Sequence, residues 1–255
     1  MPRTRSTKED LRERVWARLT AAKVARFPGA RGRIPNFVGA EAAASRLAAL
    51  PEWRGARTIK CNPDAPQLPV RLRALRDGKR LFMSVPRLRE ERCFLGLDPR
   101  QLIGRERAAA SIRGAAQLGV PTLPQDMPPI DLIVVGSVAV ARDGARVGKG
   151  GGFADLELAL LTELGLVNPQ TTVVTTVHPL QIVRSRIPML PHDVPIDLLV
   201  TPDGRITCPR RHPRPTGIIW SALAAEKVAE IPVLVRLASQ RASGSRSSGP
   251  DGFGA

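Results

Sequence analysis

Between residues 7 and 26 the apolar positions Leu11, Val15, Leu19 and Ala22 fall on one face of a helix, with Thr7 placed to cap it. Glu9 and Asp10 put negative charge in its first turn, where the helix dipole favours it. Residues 37–50 (FVGAEAAASRLAAL) predict a second helix, 69–79 a third closed at Gly78, and 104–119 a fourth ending at Gly119. Short β-type runs occupy 56–62 and 80–86. The run IDLIVVGSVAV at 130–140 is continuously apolar and β-branched, which predicts a strand buried on both faces. An amphipathic helix over 154–165 follows, then strands over 171–177 and 196–201. Such alternation predicts an α/β fold with a largely parallel, mixed sheet flanked by helices. From Ala238 the chain is Ser/Gly-rich with no apolar period and reads as a disordered tail. The expected organisation is one α/β domain over 1–237, with 205–237 as a C-terminal extension, and a tail over 238–255.

Composition narrows the class. No apolar run approaches the roughly 20 residues needed to span a bilayer, and the N-terminus lacks the apolar middle of a signal peptide. The expectation is a cytoplasmic protein with no membrane partner. Cys61, Cys93 and Cys208 show no metal-ligand spacing and read as small buried apolar residues. The net charge of +16 steers anions in general. A nucleic-acid partner stays open but is not favoured. The basic residues are spread along the chain, aromatics are 4% with no tyrosine, and stacking platforms need interleaved aromatics.

The candidate chemistry lies in RVGKGGGFAD, Arg146 to Asp155, set between a strand and a helix. Bare backbone N–H groups and a helix N-terminus can converge there on phosphate oxygens. Glycine permits the close approach and the positive φ such a turn needs. Lys149 would add a point charge, and Asp155 would hold Mg²⁺ beside the phosphates. The spacing is neither that of a Walker loop nor G-x-G-x-x-G, so a purely structural turn stays an equal alternative at this point.

The segment from Asp131 to Asp155, followed by MLPHDVPIDLLVTPDG at 189–204, resembles the 5-formyltetrahydrofolate cyclo-ligases, also called methenyltetrahydrofolate synthetases. That family carries a strand ending in small residues, a G-x-G-x-G-Tyr-Tyr-Asp loop, and a His-Asp stretch leading into a later strand. Its N-terminal lysine with an arginine four residues on is matched by Lys8 and Arg12, and the resemblance runs in order from Lys8 to Asp203. IKCNPDAPQ, GKGGGFADLE, VVTTVH and PRPTGIIWSAL further resemble the methenyltetrahydrofolate synthetase domain-containing branch.

The resemblance implies a NagB/RpiA-like fold and two ligands, ATP and a folate-type substrate. ATP would lie on Arg146, Gly148, Lys149, Gly150, Gly151, Gly152, Phe153 and Asp155, with Lys8 and Arg12 reaching its phosphates. Asp155 and Asp193 match the magnesium-binding aspartates, and Asp64 stands one methylene short of a folate-contacting glutamate. The implied reaction phosphorylates the N5-formyl oxygen of 5-formyltetrahydrofolate. N10 then attacks that carbon and phosphate leaves, giving the 5,10-methenyl product. Positioning and charge neutralisation suffice for this, and no residue is assigned as a catalytic nucleophile. The sequence departs from the pattern at Ala154, Leu156 and Pro124-Gln125, mostly on the folate side. A non-enzymatic nucleotide- or RNA-binding protein retaining the fold is the alternative. His178 reads as a packed or capping residue, His192 as a turn residue beside Asp193, and Trp220 as packing. The stretch PRRHPRP at 209–215 reads as a solvated basic linker.

Overall fold

The computed structural model describes residues 7–246. Its helices are α1 (Lys8–Ala21), α2 (Ala40–Ala48), α3 (Pro51–Gly55), α4 (Leu68–Arg76), α5 (Glu106–Ala109), α6 (Ile112–Leu118), α7 (Phe153–Glu163), α8 (Ala225–Ala229) and α9 (Pro232–Arg246). Its strands are β1 (Thr58–Cys61), β2 (Arg80–Ser84), β3 (Phe94–Leu97), β4 (Val120–Thr122), β5 (Leu132–Val134), β6 (Ala139–Ala141), β7 (Arg146–Val147), β8 (Thr172–Thr176), β9 (Ile182–Val183), β10 (Leu198–Val200) and β11 (Arg205–Thr207).

Eight strands form the main sheet in the order β11-β10-β8-β5-β1-β2-β3-β4. The five from β10 to β2 are parallel, and β3, β4 and β11 close the edges antiparallel. Period-two alternation sorts the side chains onto the two faces. Ile59, Cys61, Leu132 and Val134 join Leu47, Trp53, Val70 and Leu75 of the helices α2 to α4 in one buried cluster. Ile133, Val135 and Val173 join Leu158, Leu160 and Leu161 of α7 and Val233 and Leu234 of α9 in the other. The mixed α/β architecture expected from the alternating pattern is therefore present.

Four expectations need correction. The run 130–140 is two strands, not one: β5 lies in the main sheet and β6 in a separate sheet of order β7-β6-β9. Between them the carbonyls of Ser137 and Val138 are satisfied by a side chain, since buried Gln181 donates to them at 2.8 Å and 3.3 Å. Both strands and the bend are buried, so the hydropathy pattern carries no mark of the break.

The helix expected over 104–119 splits into α5 and α6, because Ser111 adopts an extended φ/ψ and its Oγ accepts the Gly114 amide at 2.9 Å, capping a new helix. The chain does not become irregular at residue 238: α9 continues through Arg246, and residues 247–255 lie outside the described part.

The basic linker at 209–215 is solvated only in part: Pro209, Arg210, Arg211 and Pro213 are exposed, while Arg214 and Pro215 are not. Arg214 pairs with Asp197 and donates to the Thr171 carbonyl at 2.7 Å, and Arg210 lies 3.4 Å from Asp197. Among the described residues, no helix is long and apolar enough to cross a membrane.

Candidate functional site

The chain leaves β1 for β2 on one side and later returns to β5 on the other, so the carboxyl ends of two adjacent parallel strands flank a crevice. Ligands of open α/β sheets bind at such a switch point. Asn62 ties the two strand ends together: its Oδ1 accepts from the Gly136 amide (3.3 Å) and its Nδ2 donates to Glu157 Oε2 (3.2 Å). The same carboxylate pairs with the Lys60 ammonium. With Lys60 1% and Glu157 4% exposed, each charge depends on the other for compensation. That pair fixes α7 against the end of β1.

Arg71 is buried on the opposite side of the loop and donates to the carbonyls of Asn62 (2.7 Å), Asp64 (3.0 Å) and Ala110 (2.8 Å). Burial holds its pKa below the ordinary arginine value. Its role is to shape the turn that presents Asp64.

The glycine loop joins β7 to α7 and opens beside this crevice. Gly150 (φ +111°) and Gly152 (φ +68°) occupy the left-handed region, where a side chain would be strained, while Gly148 and Gly151 do not. Gly152 is also the N-cap of α7, so the loop delivers the amino end of an 11-residue helix to the site. Four cation–carboxylate pairs surround it. Lys8 pairs with Asp193, whose Oδ2 also accepts the Leu190 amide at 2.6 Å. Arg146, nearly fully buried, pairs with Asp155, whose Oδ1 also accepts the Val194 amide at 3.0 Å. Lys149 Nζ lies 3.0 Å from Asp64 Oδ1. Arg12 sends Nε to the Gly148 carbonyl (2.8 Å) and Nη1 to Glu9 (2.6 Å).

Positions as far as 185 residues apart in the chain thus meet around one loop. Phe153 begins α7 half-buried against the core. The two aspartates proposed for magnesium are neighbours, since the amide next after Asp193 bonds Asp155. The bonds described engage Oδ1 of Asp155 and Oδ2 of Asp193, which leaves each carboxylate a second oxygen. Among the described residues, no group of three or more His, Cys, Asp or Glu is disposed to hold a metal by itself. A pair of carboxylates suits a magnesium ion whose remaining ligands are water and substrate phosphate.

His178 caps the turn 179–181, its Nδ1 accepting the Leu180 amide at 3.1 Å, and its ring meets Phe37 edge-on at 6.1 Å. His192 is exposed, 4.0 Å from Asp193, and Trp220 packs on the core beneath Arg241. The three thiols are buried, and desolvation raises them to about 11 for Cys61 and Cys208 and about 12 for Cys93.

Sequence reasoning missed Arg71, Asn62 and the Lys60–Glu157 pair. It also missed Lys227 of α8, whose Nζ lies 3.3 Å from the Gly151 carbonyl. No spacing rule links Lys227 to a loop 76 residues earlier.

Residues 4–202 match the 5-formyltetrahydrofolate cyclo-ligase family. The chain is similar to the methenyltetrahydrofolate synthase domain-containing protein of Mus musculus, 40% identical over 235 residues, covering 91% of this chain and 63% of that protein. Its counterpart from Bos taurus is 39% identical over 243 residues, covering 94% and 64%. The chain thus spans under two thirds of the length of either relative. Among solved structures, the Aquifex aeolicus 5,10-methenyltetrahydrofolate synthetase shares the fold, with a TM-score of 0.50 at 20% identity, over 85% of this chain and 99% of that one. With the family match running from the N-terminal helix to just past β10, and relatives alike over more than nine-tenths of its length, this chain belongs to the 5-formyltetrahydrofolate cyclo-ligase family.

Proposed function

We propose that the chain catalyses the ATP- and Mg²⁺-dependent closure of 5-formyltetrahydrofolate to 5,10-methenyltetrahydrofolate. The observation that carries this reading is the ring of four ion pairs around the glycine loop, set at the switch point between β1 and β5. Each pair joins a group that suits phosphate to a group that suits a cation. Lys8, Arg12, Arg146 and Lys149 would hold the phosphate oxygens of a magnesium triphosphate, and Asp155 and Asp193 would hold the ion. Two of the four carboxylates, Asp155 and Asp193, would thereby exchange a cationic side chain for the ion, which offsets part of the cost of separating those pairs.

Magnesium, when bound, neutralises charge developing on the transferred phosphoryl group. The chain's own part is to hold that group in line with the formyl oxygen. Arg12 and Lys8 approach from α1, the backbone of 148–152 lies under the phosphates, and the amino end of α7 adds its dipole. Asp64, presented by Arg71 beside Gly136, faces the folate side.

The test is near-ultraviolet absorbance of the full chain mixed with 5-formyltetrahydrofolate, ATP and Mg²⁺, because the methenyl product absorbs there and the substrate does not. Wild type gains absorbance only when all three are present. Asp155→Asn removes the charge and keeps the shape, and it abolishes both Mg²⁺-dependent ATP binding and product. ATP binding without any product identifies a non-enzymatic nucleotide-binding protein instead. Asp155→Asn with undiminished ATP binding overturns the metal assignment.

A further inference from the structure

We infer that Lys227, on the C-terminal extension beyond the family-matched residues 4–202, is a fifth phosphate-binding cation of the glycine loop. The extension is then a strap that completes the nucleotide site. This rests on the nucleotide reading above.

Three observations carry it. The first is position. Lys227 Nζ lies 3.3 Å from the Gly151 carbonyl and 5.0 Å from the Phe153 ring centre, and a Cβ built on Gly152 would meet it at 3.4 Å. One ammonium therefore contacts the Gly151 carbonyl and the Phe153 ring and fills the space beside Gly152. It has three donors, of which the Gly151 carbonyl takes one.

The second is charge. Each of the other four cations at the loop has a carboxylate partner: Asp193 for Lys8, Glu9 for Arg12, Asp155 for Arg146 and Asp64 for Lys149. Among the described residues, Lys227 has none. A lysine of intermediate exposure, whose ammonium rests on a carbonyl and a ring at the surface, is left with charge to give to an anion.

The third is anchorage. Ile218 and Arg241 hold the far end of α7 through Glu163, the Ile218 amide at 2.9 Å and Arg241 Nη1 at 3.3 Å. Lys227 holds the near end at Gly151. The segment thus runs the length of α7, about 16 Å for its 11 residues. Ile218, Ile231, Val233 and Leu234 are buried in the same cluster as Leu158, Leu160 and Leu161. Arg236 adds a hydrogen bond to Gln125 at 2.7 Å. Helix α8 itself has no buried residue, but Val228 packs against that cluster and the chain is anchored on both sides of Lys227, which places the lysine at the loop in advance.

The experiment is calorimetric titration of the full chain with Mg-ATP and with inorganic triphosphate, for wild type, Lys227→Gln and Lys227→Arg, beside the Tm of each. Loss of one charge-assisted contact lowers affinity by roughly tenfold. Lys227→Gln is expected to lose that much for both ligands with an unchanged Tm, and Lys227→Arg to recover most of it. Wild-type affinity in Lys227→Gln overturns the inference and leaves the nucleotide reading standing. So does a lowered Tm in Lys227→Gln with no rescue by arginine, since that is a packing role. Wild type that ignores Mg-ATP overturns the nucleotide reading itself, and this inference with it.

Discussion

At the scale of single residues, the sequence marks which charged groups gather at the glycine loop but not the polar groups that burial recruits to hold it. Arg146, Lys149 and Asp155 stand in a glycine loop that the residues themselves mark, Lys8, Arg12, Asp64 and Asp193 are indicated by the family resemblance, and the fold brings all seven around one loop. Lys60 is marked by neither. A lysine in a short strand reads as outward-facing, and only the packing of α7 shows that it faces Glu157 across the core. Arg71 was missed for the same reason: three backbone carbonyls are its partners, and carbonyls have no signature.

His178 makes a prediction at this scale. Desolvation lowers its pKa from the ordinary 6.5, so the folded state binds fewer protons there than the unfolded chain. Stability from this residue is full above 6.5 and falls as pH drops below it. His178→Asn keeps an acceptor for the Leu180 amide but does not titrate. The Tm of wild type should fall more steeply than that of His178→Asn between pH 7.5 and 5. Parallel Tm curves would remove His178 as the source.

At the scale of elements, local chemistry predicted starts better than ends. Thr7 was legible as the cap of α1, and it forms a reciprocal capping box with Asp10. The Thr7 backbone amide, first, and its hydroxyl, second, hold the Asp10 carboxyl below its usual range. The helix stops at Ala21, five residues before the pattern suggests, and Lys23 turns into the left-handed region at φ +56°. No glycine marks that turn, so the sequence gives no warning of it.

The cap matters because Lys8 and Arg12 sit in the first two turns of α1. Thr7→Ala costs a cap, a loss of about 2–4 °C in Tm for a chain of this size. It should also weaken Mg-ATP binding by fraying the turn that carries Lys8. Intact ATP affinity at the lowered Tm would separate the cap from the site.

At the scale of the whole molecule, the class of fold followed from alternation alone, but its lateral limits did not. Strands β4, β7, β9 and β11 are two or three residues long and, unlike the equally short β5 and β10, do not sit in a continuous apolar run that would mark them. The C-terminal boundary was misread for another reason: in α9, Ser, Ala and Arg follow Val233, Leu234 and Leu237, and a polar half-helix resembles a tail when its apolar half is counted with the preceding segment. The packing brings Cys208, Ile218, Ile231, Val233 and Leu234 of the C-terminal segment into the core.

Truncation after Gly204 should therefore expose Leu158, Leu160 and Leu161 and give a protein that binds a hydrophobic dye and lacks a cooperative thermal transition. A cooperative transition with native Tm would show that the extension is dispensable to folding.

The rims of the main sheet carry one more implication. At one rim β4 consists of Val120, Pro121 and Thr122, and a proline has no amide hydrogen to offer an incoming chain. At the other, β11 ends the ladder with exposed Arg205 and Thr207 in a three-residue hairpin arm. Both are devices that stop a sheet from templating its neighbour. A few side chains at each border should therefore disfavour edge-to-edge stacking of copies in concentrated solution.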